Sequence, residues 1–332
     1  MTAKVAINGF GRVGRTVLRR LLDTDSELEL VAVNDVADIE NLAYLLEFDT
    51  TYGRLKRNVE VRDNILVVGE SEIRVCQEAD AKDLPWKELE IDIVLEATGL
   101  YTTADKAKAH LEAGAAKVLI TAPADEKTKM IVYGVNEDNI EDDKIISSAS
   151  CTTNDLAPVA KVLNDNFEIV NGYMTTVKAY TPSQSLHDGP SKDLRRGRAG
   201  AMNAIPTSTG AAKAVGKVIP ALEGIVDGSA IRVPLAGGAL VEFYTNLKKE
   251  VTVEEVNEAM KKASNPSFEY SDKPIVSSDV IRTSAGGIFD ATLTDIVNNG
   301  DSQLVKTVSW YDSEYGFVSN LVRLTEHFAD TK

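Results

Sequence analysis

The chain has 332 residues, of which 43% are hydrophobic and 26% charged, enough apolar material for two ordinary domains and too little charge bias for disorder. Its net charge of −15, from 36 Lys and Arg against 51 Asp and Glu, argues against nucleic acid and acidic membrane surfaces as partners, since both need a positive field. The acidic surface serves solubility, and an anionic substrate requires a local cluster of cations and backbone donors working against it.

Only two cysteines occur, Cys76 and Cys151, a usage that fits a reducing cytoplasm and leaves packing or reactivity to explain each thiol. MTAKVAINGF has neither signal-peptide character nor the start of a span, and no apolar run reaches membrane length. His110, His187 and His327 are too scattered to suggest a zinc site, so no metal is expected.

In chain order, KVAING reads as a short buried strand, GRVGRTVLRRLLD as a helix with Val13, Val17, Leu18 and Leu21 on one face, and LELVAVND as a second strand. Strands at NVEVRD, ILVVG, EIRVCQ and IDIVLEATG follow. TTADKAKAHLEAGA is a helix opened by Thr and Asp and closed by Gly114, and KVLITAP is the next strand. Such alternation predicts an α/β, doubly wound parallel sheet with helices on both faces. After MIVYGVN the pattern changes: SSASCTTNDLAPVAKVLND is a loop feeding a helix. Longer alternating strands come next, clearest at GYMTTVKAY, IRVPL, ALVEFYTNLKK, VIRTS and QLVKTVSWYD, with VTVEEVNEAMKKAS an amphipathic helix among them. The expected division is therefore a Rossmann-type domain over 1–150, an α+β domain with a mainly antiparallel sheet over 151–315, and a final helix over 316–332 that packs back on the first domain. The segment from Pro182 to Arg198 lacks periodicity and is too long for a passive connection, which marks a functional loop.

Gly9, Gly11 and Gly14 in NGFGRVGR match GxGxxG where a strand ends and a helix begins, with Asp35 at the end of the next strand. Glycine is needed because backbone amides must approach a pyrophosphate closely at a helix N-terminus. Asp35 suits the ribose hydroxyls and repels an extra phosphate, which favours NAD over NADP. Cys151 lies in SASCTTND just before a helical pattern, where the helix dipole favours a thiolate nucleophile. Cys76, inside EIRVCQ, reads as an inert packing residue.

SASCTTN, TTVKAYT, DLRRGRAG, PTSTGAAKAV, IRVP and WYDSEYG, in that order, resemble glyceraldehyde-3-phosphate dehydrogenase, and the likeness runs from NGFGRVGR to the final helix. The resemblance implies NAD-dependent oxidation of an aldehyde phosphate through a thioester that inorganic phosphate releases, with Cys151 the nucleophile. By motif, Thr181 and Arg232 take the substrate phosphate, and Ser150, Thr152, Thr209 and Gly210 take the attacking phosphate, with Arg195 close to both. Phe10, Arg12 and Val13 join the glycines at the cofactor, along with Thr98, Gly99 and Thr121. A cytoplasmic homotetramer is implied, with the loop around 182–204 reaching a neighbouring subunit and Pro190 in it consistent with NAD.

Four departures from the family pattern cluster near the chemistry. The family's catalytic histidine is Lys178, which stabilises a thiolate as an imidazolium does but accepts a proton at neutral pH only if burial or positive neighbours depress its pKa strongly. His187 on the loop is an alternative base, although an exposed loop histidine is the plainer reading. The asparagine that binds the nicotinamide carboxamide is Ser313, and a nearby tyrosine is Phe317. Asp155, four residues after Cys151, is expected to pair with Lys178, which would then partner the carboxylate, the thiolate or both. Two other functions stay open: a catalytically weakened paralogue with a redox or scaffolding role, and the same chemistry on another aldehyde such as erythrose 4-phosphate.

Overall fold

The computed structural model describes residues 2–331. They form two compact units, one made of the chain up to Ile131, Glu137–Ala149 and the stretch from Leu321 onward, the other of Val132–Asn136 and Ser150–Asn320.

In the first unit the opening pattern folds as β1 (Ala3–Asn8), α1 (Arg12–Leu22) and β2 (Leu28–Asn34). Then come α2 (Ile39–Glu47), β3 (Val59–Arg62), β4 (Ile65–Val68), β5 (Ser71–Cys76), β6 (Ile93–Glu96), α3 (Ala104–Glu112), β7 (Lys117–Ile120), β8 (Lys129–Met130) and β9 (Ile145–Ser147). The strand order is β3-β4-β5-β2-β1-β6-β7-β9-β8. All neighbours from β5 to β8 pair in parallel, and only the β3–β4–β5 edge is antiparallel. Ile93–Leu95 and Val118–Ile120 are wholly buried, as strands covered on both faces must be. The chain leaves β1 toward β2 on one side and returns to β6 on the other, so the ligand crevice of such a sheet opens at the carboxyl ends of β1 and β6.

The second unit comprises α4 (Cys151–Phe167), β10 (Ile169–Ala179), β11 (Ile205–Ser208), α5 (Ala211–Val218), β12 (Val226–Val233), β13 (Ala239–Leu247), α6 (Val253–Ala263), β14 (Phe268–Ser271), β15 (Gly287–Asp290), β16 (Asp295–Asn298) and β17 (Gln303–Tyr311). Its sheet runs β11-β12-β10-β13-β17-β15-β14, with β16 paired to β17. β10–β12 and β14–β15 are parallel and the other pairs antiparallel. Helix α4 packs across β10, β13, β17 and β15, and α5 packs on α4. The last helix, α7 (Tyr315–Asp330), belongs to the first unit from Leu321 on. There the Lys117 ammonium donates to the carbonyls of Phe328 and Thr331, and Ser26 donates to Glu326.

VIRTS is not a strand. Its residues turn at Arg282, where φ is +68° and the amide N–H donates to the Asp312 carboxylate at 2.8 Å, and of the five only Val280 is buried. Helix α4 begins at Cys151 itself, earlier than the apolar pattern suggested, because Ser150 caps it by accepting the Thr153 amide at 3.1 Å. Helices α2 and α5 add to the expected elements, and their apolar residues, Ile39, Leu42, Ala43 and Leu46 in the first and Ala211, Ala214, Val215 and Val218 in the second, recur at helical spacing. Helix α6 opens with a full capping box between Thr252 and Glu255. Thr252→Ala should lower unfolding stability by about 1 kcal/mol in a urea titration; an unchanged midpoint would show that water replaces the cap.

Candidate active site and dinucleotide cradle

At the carboxyl end of β1 the chain turns through Gly9 at φ +97°, where a Cβ would lie 2.7 Å from the carbonyl carbon of Ala97. At Gly14 a Cβ would collide with the Gly9 carbonyl oxygen. Only glycine lets β1, α1 and the loop after β6 close this tightly. Gly11 caps α1 without a side chain, its Cβ position is open, and the first turn holds no acidic residue. The result is an uncovered helix N-terminus that suits a pyrophosphate. Phe10 is buried and its amide N–H donates to Asp35 Oδ2 at 2.9 Å, while Asp35 Oδ1 accepts from Ala37. The carboxylate thus shapes the glycine loop. The Arg12 guanidinium is paired with Asp49 and lies over the Tyr52 ring, so that at this residue the backbone amide of the helix start is what remains for a ligand. Val13, half-buried, follows it in the first turn of α1.

Beneath the β6 loop lies a buried polar network that sequence reasoning missed. Glu96 accepts from the Thr98 amide at 2.8 Å, the Thr98 hydroxyl, Asn8 Nδ2 at 2.6 Å and His110 Nε2 at 3.0 Å. Trp86 Nε1 donates to His110 Nδ1 at 3.1 Å. Thr121 donates its hydroxyl to the Glu96 carbonyl, and Gly99 sits at φ +74° with open space where a Cβ would be. The signal available in the sequence was the acidic residue ending the apolar strand IDIVLEATG.

In the second unit the reactive cluster is built by α4, β10, β12 and β17. Cys151 is the first residue of α4, at its positive end. Lys178 on β10 directs Nζ to Cys151 Sγ at 3.7 Å. The Cys151 sulfur, followed by the Tyr311 oxygen, holds the Lys178 ammonium above the ordinary lysine range, against burial and the neighbouring Arg232. This is opposite to the depression a lysine base would need. The Tyr311 hydroxyl exchanges hydrogen bonds with Thr152 at 2.8 Å and Thr176 at 2.9 Å. It therefore ties the first turn of α4 to the face of β10 that also carries Lys178. Burial pushes Tyr311 up to about 12, so it stands as a neutral phenol.

Lys178 pairs in register with Arg232 on β12. Arg232 Nη1 donates to Thr181 Oγ1 at 2.5 Å and Gln184 Oε1 at 3.0 Å, and its Nε is buried without a partner. Burial, then the charge of Arg196, lowers its pKa. Thr181 and Arg232 are thus brought together, with Gln184 an unforeseen member. Arg195 is exposed and its guanidinium makes no hydrogen bond among the described residues. The next residue, Arg196, reaches Thr207 at 2.8 Å and Asp193. Thr209 accepts the Ala211 amide, and Gly210 caps α5 with no side chain over it. The Ser313 hydroxyl is buried without a hydrogen-bond partner among the described residues. Cys76 is buried and desolvation raises its thiol pKa, consistent with packing.

Asp155 does not pair with Lys178. Its Oδ2 accepts from Ser309 at 2.7 Å, Oδ1 has no partner, and a Cβ at Gly287 would strike it. The cause is strand alternation: Ser309 and Tyr311 share one face of β17 and meet Asp155 and Thr152, so the carboxyl is buried under the helix, not aimed at β10. Burial raises its pKa well above the carboxylate range. Folding then takes up a proton here, and stability falls as pH climbs from the unfolded carboxylate range toward the folded pKa. Asp155→Asn should flatten that decline in melting temperature between mildly acidic and neutral pH; parallel profiles for both proteins would contradict it.

Among the described residues no group of His, Cys, Asp and Glu could hold a metal ion, and no helix is long and apolar enough to cross a membrane. A family model described as "Glyceraldehyde 3-phosphate dehydrogenase, NAD binding domain" matches residues 3–104, and its counterpart, "C-terminal domain", matches 150–313. The chain is 54% identical over 329 residues to a glyceraldehyde-3-phosphate dehydrogenase of Clostridium pasteurianum, covering 98% of both chains. It is 52% identical over 330 residues to one of Clostridium acetobutylicum, again over 98% of each. With the glycine cradle and the Cys151 cluster both in place, the chain belongs to the glyceraldehyde-3-phosphate dehydrogenase family.

Proposed function

We propose that this chain catalyses the NAD-dependent, phosphorylating oxidation of glyceraldehyde 3-phosphate to 1,3-bisphosphoglycerate in glycolysis. The observation that carries the reading is a cysteine at a helix N-terminus with a lysine ammonium 3.7 Å from its sulfur, beside the Thr181–Arg232 pair. The glycine cradle, the bare start of α1 and Asp35 fit NAD, which supplies the hydride acceptor when bound. Phe10, Val13, Thr98, Gly99, Thr121 and Ser313 complete the set of residues assigned to it.

The Cys151 thiolate adds to the aldehyde carbon, and the carbonyl electrons become an alkoxide. Thiolate addition needs no proton acceptor. Lys178, held as an ammonium, stabilises the sulfur before attack and the alkoxide after it, so lysine replaces the family's base with a fixed cation. After oxidation the acyl group stands as a thioester on Cys151. Thr181 and Arg232 hold the substrate's phosphate through hydroxyl and guanidinium donors. Ser150, Thr152 and the Thr209–Gly210 start of α5 receive inorganic phosphate, and the unpaired guanidinium of Arg195 adds charge when that anion arrives. Phosphate oxygen attacks the thioester carbon and the thiolate leaves.

Relatives that share about half of their residues with this chain along nearly its full length carry the dehydrogenase name, which favours this reading over a weakened paralogue or a different aldehyde. The exposed Leu186, Leu194 and Met202 on the long loop support a homotetramer as the working form. Two unpaired cysteines support the cytoplasm as its location.

The test is steady-state turnover with NAD, glyceraldehyde 3-phosphate and phosphate. Cys151→Ser should abolish NADH formation. Lys178→Met should cost roughly a hundred- to a thousandfold in kcat, the usual loss for one oxyanion donor. Full activity in Lys178→Met would refute the role given to the ammonium.

A further inference from the structure

Placing a lysine where the chemistry makes a thioester has a second consequence. Nζ of Lys178 lies 3.7 Å from Cys151 Sγ, and the carbonyl carbon of an acyl group on that sulfur is one bond from it. Oriented reactants at about 3–3.5 Å are near-attack partners. The pair is also held in place, because Tyr311 ties Thr152, next to Cys151, to Thr176, two residues before Lys178.

We infer that Lys178 is an internal acyl acceptor: when phosphate does not release the thioester, the acyl group passes from Cys151 Sγ to Lys178 Nζ. The inference rests on the reading of Cys151 as an acyl-carrying nucleophile. In the step, the Lys178 ammonium first gives one proton to solvent. The amine lone pair attacks the thioester carbon, the C–S bond breaks, and the electron pair leaves on sulfur. The amine's surplus proton goes to that sulfur, leaving a neutral amide on Lys178 and a free thiol. No oxidant or cofactor takes part.

The electrostatics time this step to the acyl-enzyme. The largest influence keeping the proton on Lys178 is the charge of the Cys151 sulfur, and acylation removes that charge. Tyr311 is a neutral phenol at physiological pH. Burial and Arg232 remain around Nζ, and both favour the free amine. Acylation therefore removes the influence that most favours the ammonium and leaves those that favour the free amine. An amide is stable where a thioester is not, so the transfer shuts down a site starved of phosphate and leaves a lasting mark.

The experiment uses the full chain with p-nitrophenyl acetate and without NAD or aldehyde, followed by peptide mass spectrometry with and without hydroxylamine. Acetyl should appear first on Cys151, labile to hydroxylamine, and then on Lys178, resistant to it, with transfer faster at higher pH. In Cys151→Ala, Lys178 acetylation should slow by at least roughly a hundredfold, given the effective molarities of oriented groups. In Lys178→Arg, which keeps the charge but offers no comparable nucleophile, acetyl should stay on Cys151. Acetyl that remains on Cys151 of the unmodified chain until hydrolysis overturns the transfer alone. Equal Lys178 labelling in Cys151→Ala also overturns it. A Cys151 that takes no acetyl at all overturns the nucleophile reading beneath it.

Discussion

The contact between Lys178 and Cys151 is the constraint around which the second unit is arranged. A thiolate at the start of α4 gains from the helix dipole, but that field is set by the backbone and fades within a turn. The ammonium adds a point charge from a different element. Holding it there requires β10 and α4 to keep their spacing, and the Tyr311 hydroxyl, between Thr152 and Thr176, is the link that does so. With a net charge of −15 on the chain, anion chemistry depends on such local sources: the ammonium, Arg232 one strand away, and the glycine-capped start of α5.

The residues that set this chain apart from the family pattern do not act as one cluster. Lys178 and Asp155 lie on different sides of the first turns of α4, one answering the sulfur and the other sealed against β15 and β17. Burial raises the Asp155 pKa well above the carboxylate range, which works against its acting on Cys151 as an ion. Its effect is on the folding of the helix that carries the nucleophile. Gly287 is part of the same arrangement, since a side chain there would occupy the place of the carboxyl oxygen.

Much of this was legible in the sequence where local rules suffice. Parallel strands announce themselves as continuous apolar runs, and the GxGxxG turn needs its glycines for reasons that involve only backbone. Cys151 stood out because it lies just before a helical pattern, where the helix dipole favours a thiolate. What failed depended on partners far along the chain. VIRTS has strand composition, yet its amide at Arg282 is claimed by Asp312 thirty residues later. The direction of Lys178's pKa turns on which charges face it, and spacing alone could not distinguish a base from a cation. Equally, nothing local separates Arg195 from Arg196, whose different surroundings come from the fold of the loop onto β11.

The two buried carboxyls show why hydrogen-bond supply has to be counted before a role is assigned. Four donors converge on Glu96, whereas Asp155 has one, with an oxygen left bare. The donor from His110 can be oriented by chemistry alone: an indole N–H only donates, so Nδ1 facing Trp86 must accept, and the proton resides on Nε2 toward Glu96. A carboxylate so supplied is a fixed anchor, and what it anchors is the amide and hydroxyl of Thr98, the start of the loop assigned to the dinucleotide. Asp155, lacking such donors, has its pKa raised by burial. Both acids lie beneath a turn, but only Glu96 positions it through several hydrogen bonds, whereas the burial of Asp155 couples the folding of its helix to pH.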